Sequence, residues 1–277
     1  MSITWPNGKR IAVSLGFDLD AETTWTDGIR CDREHIANMS RGTYGAKQGA
    51  PRILDMLDRL DVKATFFVPA INAEKYPALI SEISRRGHEL GYHGYRHCED
   101  PSVTMETEDA AMTKCEKIFF DLTGQKLCGH RAPGGMFYDF NPELFKKHGY
   151  IYSSNYSHRD APYLLERDGE KLPIVELGCE AFFDDSSYDM YTNSPPERYG
   201  LKTGRQLARI WQDEFDAMSQ ENGKAIALTM HPQFIGRVSR LNALFGLVSH
   251  MKANGAWLAT NKEIAEHVLK SEGFLPQ

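Results

Sequence analysis

The run Ile11-Ala12-Val13-Ser14-Leu15-Gly16-Phe17-Asp18-Leu19-Asp20 carries the pattern on which the whole chain is built. Its apolar residues read as a buried strand, and the strand ends in two carboxylates two positions apart. In extended backbone alternate side chains project to the same side, so Asp18 and Asp20 share one face there. Six further runs read as buried strands, at 64–68, 89–92, 126–128, 150–153, 174–177 and 225–230. Helical patterns at 51–60, 73–86, 106–122, 142–148 and 204–220 lie between them, several opening on proline or a capping residue. Repeated strand–helix alternation predicts a parallel sheet with helices packed outside it. Seven such units predict an α/β fold, a distorted seven-stranded (β/α) barrel, with residues 1–277 as a single domain.

Composition narrows the class of molecule. The 277 residues are 41% hydrophobic and 25% charged, as in an ordinary globular protein. A net charge of −6 with a pI near 5.9 leaves no basic stripe for phosphate backbones, so nucleic acid is not an expected partner. No stretch approaches the roughly 20 apolar residues of a membrane span, and residues 1–10 lack a secretory pattern. These features read as cytoplasmic. The five cysteines, Cys31, Cys98, Cys115, Cys128 and Cys179, are scattered and odd in number, which fits reduced thiols. Residues 23–49 and 182–201 break the alternation and read as long loops, of the kind used as lids or subunit contacts.

The chemistry-bearing residues recur at one position in these units. Asp18 and Asp20 follow the first strand, His93 the third, Arg131 the fourth, Asp160 the fifth and His231 the last. Loops beyond strand C-termini are where barrel enzymes assemble their active sites. In Gly91-Tyr92-His93-Gly94-Tyr95-Arg96-His97 the two histidines are four apart, a spacing that brings both imidazoles to one side of a helical turn and to one divalent ion. Asp20 completes a three-ligand set, while Glu22 offers a competing acid. Plainer roles are open to the same residues: Asp18 as a helix cap, Arg131 as a surface ion pair, Asp160 to Tyr163 as a turn and His231 as a strand end.

Together, Phe17-Asp18-Leu19-Asp20-Ala21-Glu22, His93-Gly94-Tyr95-Arg96-His97, Arg131-Ala132-Pro133-Gly134-Gly135, Asp160-Ala161-Pro162-Tyr163 and Thr229-Met230-His231-Pro232 resemble the five ordered motifs of the polysaccharide deacetylase (NodB-homology) family. The resemblance spans about residues 8–265 and implies metal-dependent amide hydrolysis on a distorted barrel. It makes Asp20, His93 and His97 the metal ligands and Asp18 the general base paired with Arg131. His231 becomes the general acid, supported by Asp160, and a backbone N–H near Gly134 stabilises the oxyanion. Zinc suits such a ligand set, as do cobalt, nickel, iron and manganese.

The chain departs from the familiar pattern at three places. Leu19 separates two aspartates that are usually adjacent, Gly94 replaces a small hydroxyl residue, and Gly134 stands where secreted deacetylases often carry an aromatic. These departures resemble the intracellular branch, which includes cyclic imide hydrolases and an allantoinase. That branch implies a homo-oligomer, a tetramer, acting on a small amide, imide, ureide or N-acetylated compound. The alternatives are a deacetylase of N-acetylated sugars or peptidoglycan, acting on a short saccharide, and a catalytically silent binding protein on the same fold.

Overall fold

The computed structural model describes residues 3–27, 36–98, 100–193, 196–198 and 201–276. From the N-terminus, β1 (Ile11–Asp18) leads through the short α1 (Thr23–Thr26) to α2 (Ile36–Tyr44). One π-helical turn, Gly45–Gly49, joins α2 to α3 (Ala50–Leu60). Then come β2 (Thr65–Val68), α4 (Ala70–Lys75), α5 (Pro77–Arg85), β3 (Glu89–Tyr92), α6 (Met105–Thr123), β4 (Gly129–His130), α7 (Asn141–His148) and β5 (Tyr152–Ser153). A hairpin of β6 (Tyr163–Arg167) and β7 (Glu170–Glu176) precedes α8 (Ser186–Asp189) and a small separate hairpin, β8 (Tyr191–Asn193) and β9 (Pro196–Arg198). The chain ends with α9 (Gly204–Met218), β10 (Lys224–Met230), α10 (Val238–Ala253), β11 (Ala256–Leu258) and α11 (Asn261–Ser271).

Among the described residues seven strands, in the order β10-β1-β2-β3-β4-β5-β7, pair in parallel; six fall on the expected apolar runs and β4 lies just past its run. The sheet is therefore a curled, incomplete α/β barrel of the expected type. Two strands that the runs did not mark are added: β6 pairs antiparallel with β7 at one edge, and β11 pairs with the start of β1 on the side where β2 pairs with its end. An isolated parallel bridge, Asp184↔Thr229, spans the gap between the segment after β7 and β10. All eight residues of β1 are buried, because it lies within the sheet and is covered on both faces.

Several boundaries differ from expectation for local reasons. The helix foreseen over 73–86 is broken, since Pro77 supplies no N–H and forces Tyr76 out of helical backbone, at φ −124 and ψ 50. The fourth strand lies at Gly129–His130 rather than 126–128, where Gly129 leaves room for the Tyr152 ring of the neighbouring strand. The expected loop over 23–49 is largely helical in its described part, and 182–201 contains α8 and the small hairpin. Helices α10 and α11 were not foreseen.

At the π-turn the helix runs against the loop after β10. A Cβ at Gly49 would lie 2.1 Å from the Pro232 carbonyl oxygen, closer than any side chain tolerates. π-Helical turns of this kind frequently accompany functional sites, and this one braces the loop that carries His231. We expect Gly49→Ala to destabilise the fold by about 1–3 kcal/mol, the usual range for overpacking. By contrast, Gly246→Ala, inside α10 with nothing within 4 Å of the added carbon, should be neutral or slightly stabilising. Thermal melting of the two variants checks both; equal melting temperatures would remove the brace.

Candidate active site

All the site residues lie at the C-terminal end of the parallel sheet. Asp18 is the last residue of β1, and Asp20 follows two positions later, immediately before Ala21. Ala21 adopts left-handed backbone, φ 48, an uncommon conformation for a residue with a side chain and one that clusters at functional sites. It turns the chain into α1, and the Asn72 side-chain amide holds the turn by donating to the carbonyls of Leu19 and Asp20.

Beyond β3, the expected helical turn over the two histidines is absent. Gly94 sits at φ +75, and a Cβ there would meet the Arg96 carbonyl oxygen at 2.7 Å. This glycine turn, rather than helix, brings the His93 and His97 rings to 5.3 Å between centroids. His93 Nδ1 is 2.7 Å from the Arg131 carbonyl. A carbonyl only accepts, so Nδ1 carries the proton and Nε2 keeps its lone pair for the cavity.

That lone pair meets a carboxylate. His93 Nε2 is 3.4 Å from Asp20 Oδ1, and His97 Nε2 is 3.7 Å from Asp20 Oδ2. Asp20 Oδ1 and His93 Nε2 are both buried without a hydrogen-bond partner. Two orphaned acceptors facing each other are repulsive unless a proton or a cation lies between them. Ligands on one tetrahedral zinc are about 3.3 Å apart, so the group Asp20, His93 and His97 fits a divalent ion. Burial pushes the Asp20 carboxyl up, but the imidazoles of His97, His93 and His231 outweigh it and hold the group far below the usual range. Glu22 is turned elsewhere: its carboxylate accepts from Thr43 and Tyr76, each at 2.6 Å, and pairs with Lys75.

Asp18 and Arg131 meet across 113 positions of sequence, with Arg131 Nη1 donating to Asp18 Oδ1 at 2.8 Å. Both are buried. The guanidinium also donates to Ser154 Oγ at 3.1 Å and lies 4.3 Å over the Phe67 ring, so its orientation is fixed on several sides. Asp18 Oδ2 faces His93 Nε2 at 3.9 Å.

His231 is buried at the end of β10, with Nε2 3.5 Å from Asp20 Oδ2. Its expected partner, Asp160, is not there. The Asp160 side chain is 68% exposed and pairs with Lys224 at 3.1 Å, while its backbone carbonyl accepts from Ala225 near the start of β10. The structure instead brings Asp185 to His231. Nδ1 is 2.7 Å from Asp185 Oδ1, and the His231 backbone N–H donates to both oxygens of that carboxylate. Burial pushes the Asp185 carboxyl up to about 7 against the pull of His231. On the imidazole, burial acts downward but Asp185 and Asp184 outweigh it, raising its pKa well above the usual value. Because the carboxylate also takes the backbone N–H, the proton of this pair resides on the imidazole. Asp185 follows its own strand's loop, and its one sequence signal is the Asp184-Asp185 pair inside the segment read as a loop.

These side chains line a cavity of about 420 Å³. Its described wall includes Thr24, Gly134, Gly135, Asn155, Cys179, Asp184, Ser186, Ser187 and Met190, and no aromatic residue. Trp25, Met190 and Phe234 form a small apolar cluster next to it, with Trp25 edge-on to Phe234 at 6.3 Å. The described cysteines, Cys98, Cys115, Cys128 and Cys179, form no disulfide with one another, and Cys31 lies outside the described residues.

Replacing His97, the more exposed of the two candidate imidazole ligands, tests the metal group directly. We expect His97→Ala to lower metal occupancy at least tenfold at limiting metal, by elemental analysis of purified protein. Full occupancy would remove His97 from the ligand set.

Comparison with known proteins agrees with this geometry. The sequence profile of the family described as "Polysaccharide deacetylase" matches residues 42–153. A peptidoglycan deacetylase of Helicobacter pylori is 28% identical, over 95% of this chain and 97% of its own. A crystal structure from Mycobacterium smegmatis assigned to the polysaccharide deacetylases superposes with a TM-score of 0.91 at 32% identity, covering 100% of this chain and 96% of that one. The Puue allantoinase shares the fold, with a TM-score of 0.85 at 21% identity over 99% of this chain and 95% of its own. Full-length likeness above 30% identity and a sheet end carrying the expected acids and histidines place the chain in a hydrolase family acting on non-peptide carbon–nitrogen bonds: it belongs to the polysaccharide deacetylases.

Proposed function

We propose that the protein is a metal-dependent hydrolase of a small, polar amide, with a cyclic imide or ureide as the favoured substrate. The observation that carries this reading is the cavity of about 420 Å³ with small and polar walls and no aromatic platform among its described residues. Such a volume suits a compact ligand. A glycan chain instead calls for an elongated groove with aromatic faces.

Asp20, His93 and His97 are the residues that would hold the ion, and three protein ligands leave one position open. Zinc matches two imidazoles and one carboxylate. When bound, such an ion lowers the pKa of a water molecule and polarises the scissile carbonyl. The chain's own residues divide the proton work. Asp18 Oδ1 is tied to Arg131, so Oδ2 is the oxygen left to accept a proton from the attacking water. His231, protonated and held at Nδ1 by Asp185, delivers a proton from Nε2 to the departing nitrogen. The backbone N–H at Gly134, on the cavity wall, is our assignment for the oxyanion contact. A cytoplasmic homotetramer is the setting suggested by the resemblance to the intracellular branch.

A second reading, deacetylation of an N-acetylated sugar or of peptidoglycan, is favoured by the likeness to the Helicobacter pylori enzyme along its whole length. A panel of succinimide, hydantoin, allantoin, N-acetylglucosamine and chitin oligomers, assayed with metal-loaded protein, separates the two. We expect turnover of at least one ring compound and none of the oligomers; the reverse outcome establishes the second reading. Activity that survives complete chelation, in protein without stoichiometric metal, would overturn the metal role.

A further inference from the structure

Among the described residues three carboxylates line the catalytic cavity, Asp18, Asp20 and Asp184, and the first two are already committed. Asp18 is bound to Arg131, and Asp20 belongs to the group with His93 and His97. Asp184 shares its basic neighbour, His231, with Asp185. Its Oδ1 accepts the Ser186 backbone N–H at 2.7 Å and lies 3.6 Å from His231 Nδ1, a nitrogen whose hydrogen bond goes to Asp185. The side chain keeps 23% exposure while lining the cavity. It therefore presents unused acceptor capacity there.

Two strong donors of the surrounding wall are committed elsewhere. The guanidinium of Arg131 is turned to Asp18 and Ser154. The Asn155 side chain is also spent, its oxygen accepting from the Ala132 N–H and its nitrogen donating to Ser153. The backbone holds Asp184 firmly, since the bridge to Thr229 fixes it against β10 and the Asp185 N–H donates to the Thr229 carbonyl at 3.0 Å. A carboxylate fixed in this way beside His231 lies at the end where the departing nitrogen receives its proton.

We propose that Asp184 is a specificity-determining residue that accepts a hydrogen bond from an N–H of the substrate on its leaving-nitrogen side. It selects imides and ureides whose nitrogen is unsubstituted and rejects their N-alkylated analogues, which would leave the carboxylate unpaired against a methyl group. A charged acceptor in a cavity wall, shut off from water by a methyl group where its donor should be, discriminates more strongly than a missing apolar contact. This inference rests on the small-amide reading above.

The test compares succinimide with N-methylsuccinimide, and hydantoin with 1-methyl- and 3-methylhydantoin, in wild-type protein and in Asp184→Asn. Asparagine keeps an oxygen for the Ser186 N–H, so the turn is retained, and thermal melting checks that. Wild type is expected to favour the N–H compound by about tenfold or more in kcat/KM, and the variant to bring that ratio toward one. If Asp184 acts only through the charge of His231, both members of a pair fall together and the ratio is unchanged, which overturns the proposal. The same pairs are also measured for binding to metal-depleted protein by ligand-observed NMR. Should no ring compound be hydrolysed, the functional reading falls, and the binding ratio alone decides: a preference for N–H lost in Asp184→Asn supports the role of Asp184, and equal binding in wild type overturns it.

Discussion

Asp18→Asn should bind metal as wild type does and lose about a hundred- to ten-thousand-fold in kcat, the range that a general base contributes. Asparagine is nearly isosteric, and its oxygen can still accept from Arg131 Nη1, at 2.8 Å in the native pair. What it cannot do is take a proton. The variant also leaves the buried guanidinium of Arg131 without a counter-charge, so stability should fall by a few kcal/mol. Assays are therefore run well below the melting temperature of the variant. Metal content measured beside turnover separates base from ligand: turnover retained at wild-type rate removes Asp18 as the base, and loss of metal would make it a ligand.

Asp185→Asn should be nearly as damaging and should carry a pH signature. An amide in place of this carboxylate keeps one oxygen for His231 Nδ1, 2.7 Å away, but turns an N–H group on the remaining donor, the His231 backbone N–H, and removes the nearest negative charge. Loss of an orienting carboxylate behind a catalytic histidine costs up to about ten-thousand-fold in kcat in the well-known serine protease case. Asp185 and Asp184 hold the His231 pKa well above its usual value, against burial. The active form is the protonated one, so activity is present below that pKa and is lost as pH rises through it. Without Asp185 the pKa drops, and the alkaline limb of the kcat/KM profile must move to lower pH. Asp160→Asn is the control, because an exposed pair with Lys224 contributes little and its removal should leave rate and limb unchanged. An unshifted limb in Asp185→Asn, or a shifted one in Asp160→Asn, would reverse the two assignments.

Much of this arrangement was legible along the chain. The apolar runs located the seven parallel strands, since burial on both faces demands near-continuous hydrophobic sequence. Positions just past those runs held Asp18, Asp20, His93, Arg131 and His231, and the structure gathers these around one cavity. The histidine pair was found by its spacing, though for a helix that does not form. Gly94 turns the backbone into left-handed conformation at that point, and a glycine turn reaches the same convergence by another route.

Asp160 and Asp185 show where local reading stops. Both follow strands and both are aspartates, so nothing in the neighbouring sequence ranks one above the other. The difference arises from barrel closure. The segment after β7 bridges to Thr229 on β10, and this long-range contact delivers Asp185 to His231 across 46 positions while Asp160 remains on the surface beside Lys224. The sequence by itself determined the strands, their parallel class and the end of the sheet where the chemistry gathers, because hydrophobic period and strand termini are local properties. Which carboxylate holds His231, and which one remains unspent in the cavity, was decided by the tertiary structure, because a pairing between distant segments depends on how the curled sheet meets its own edge.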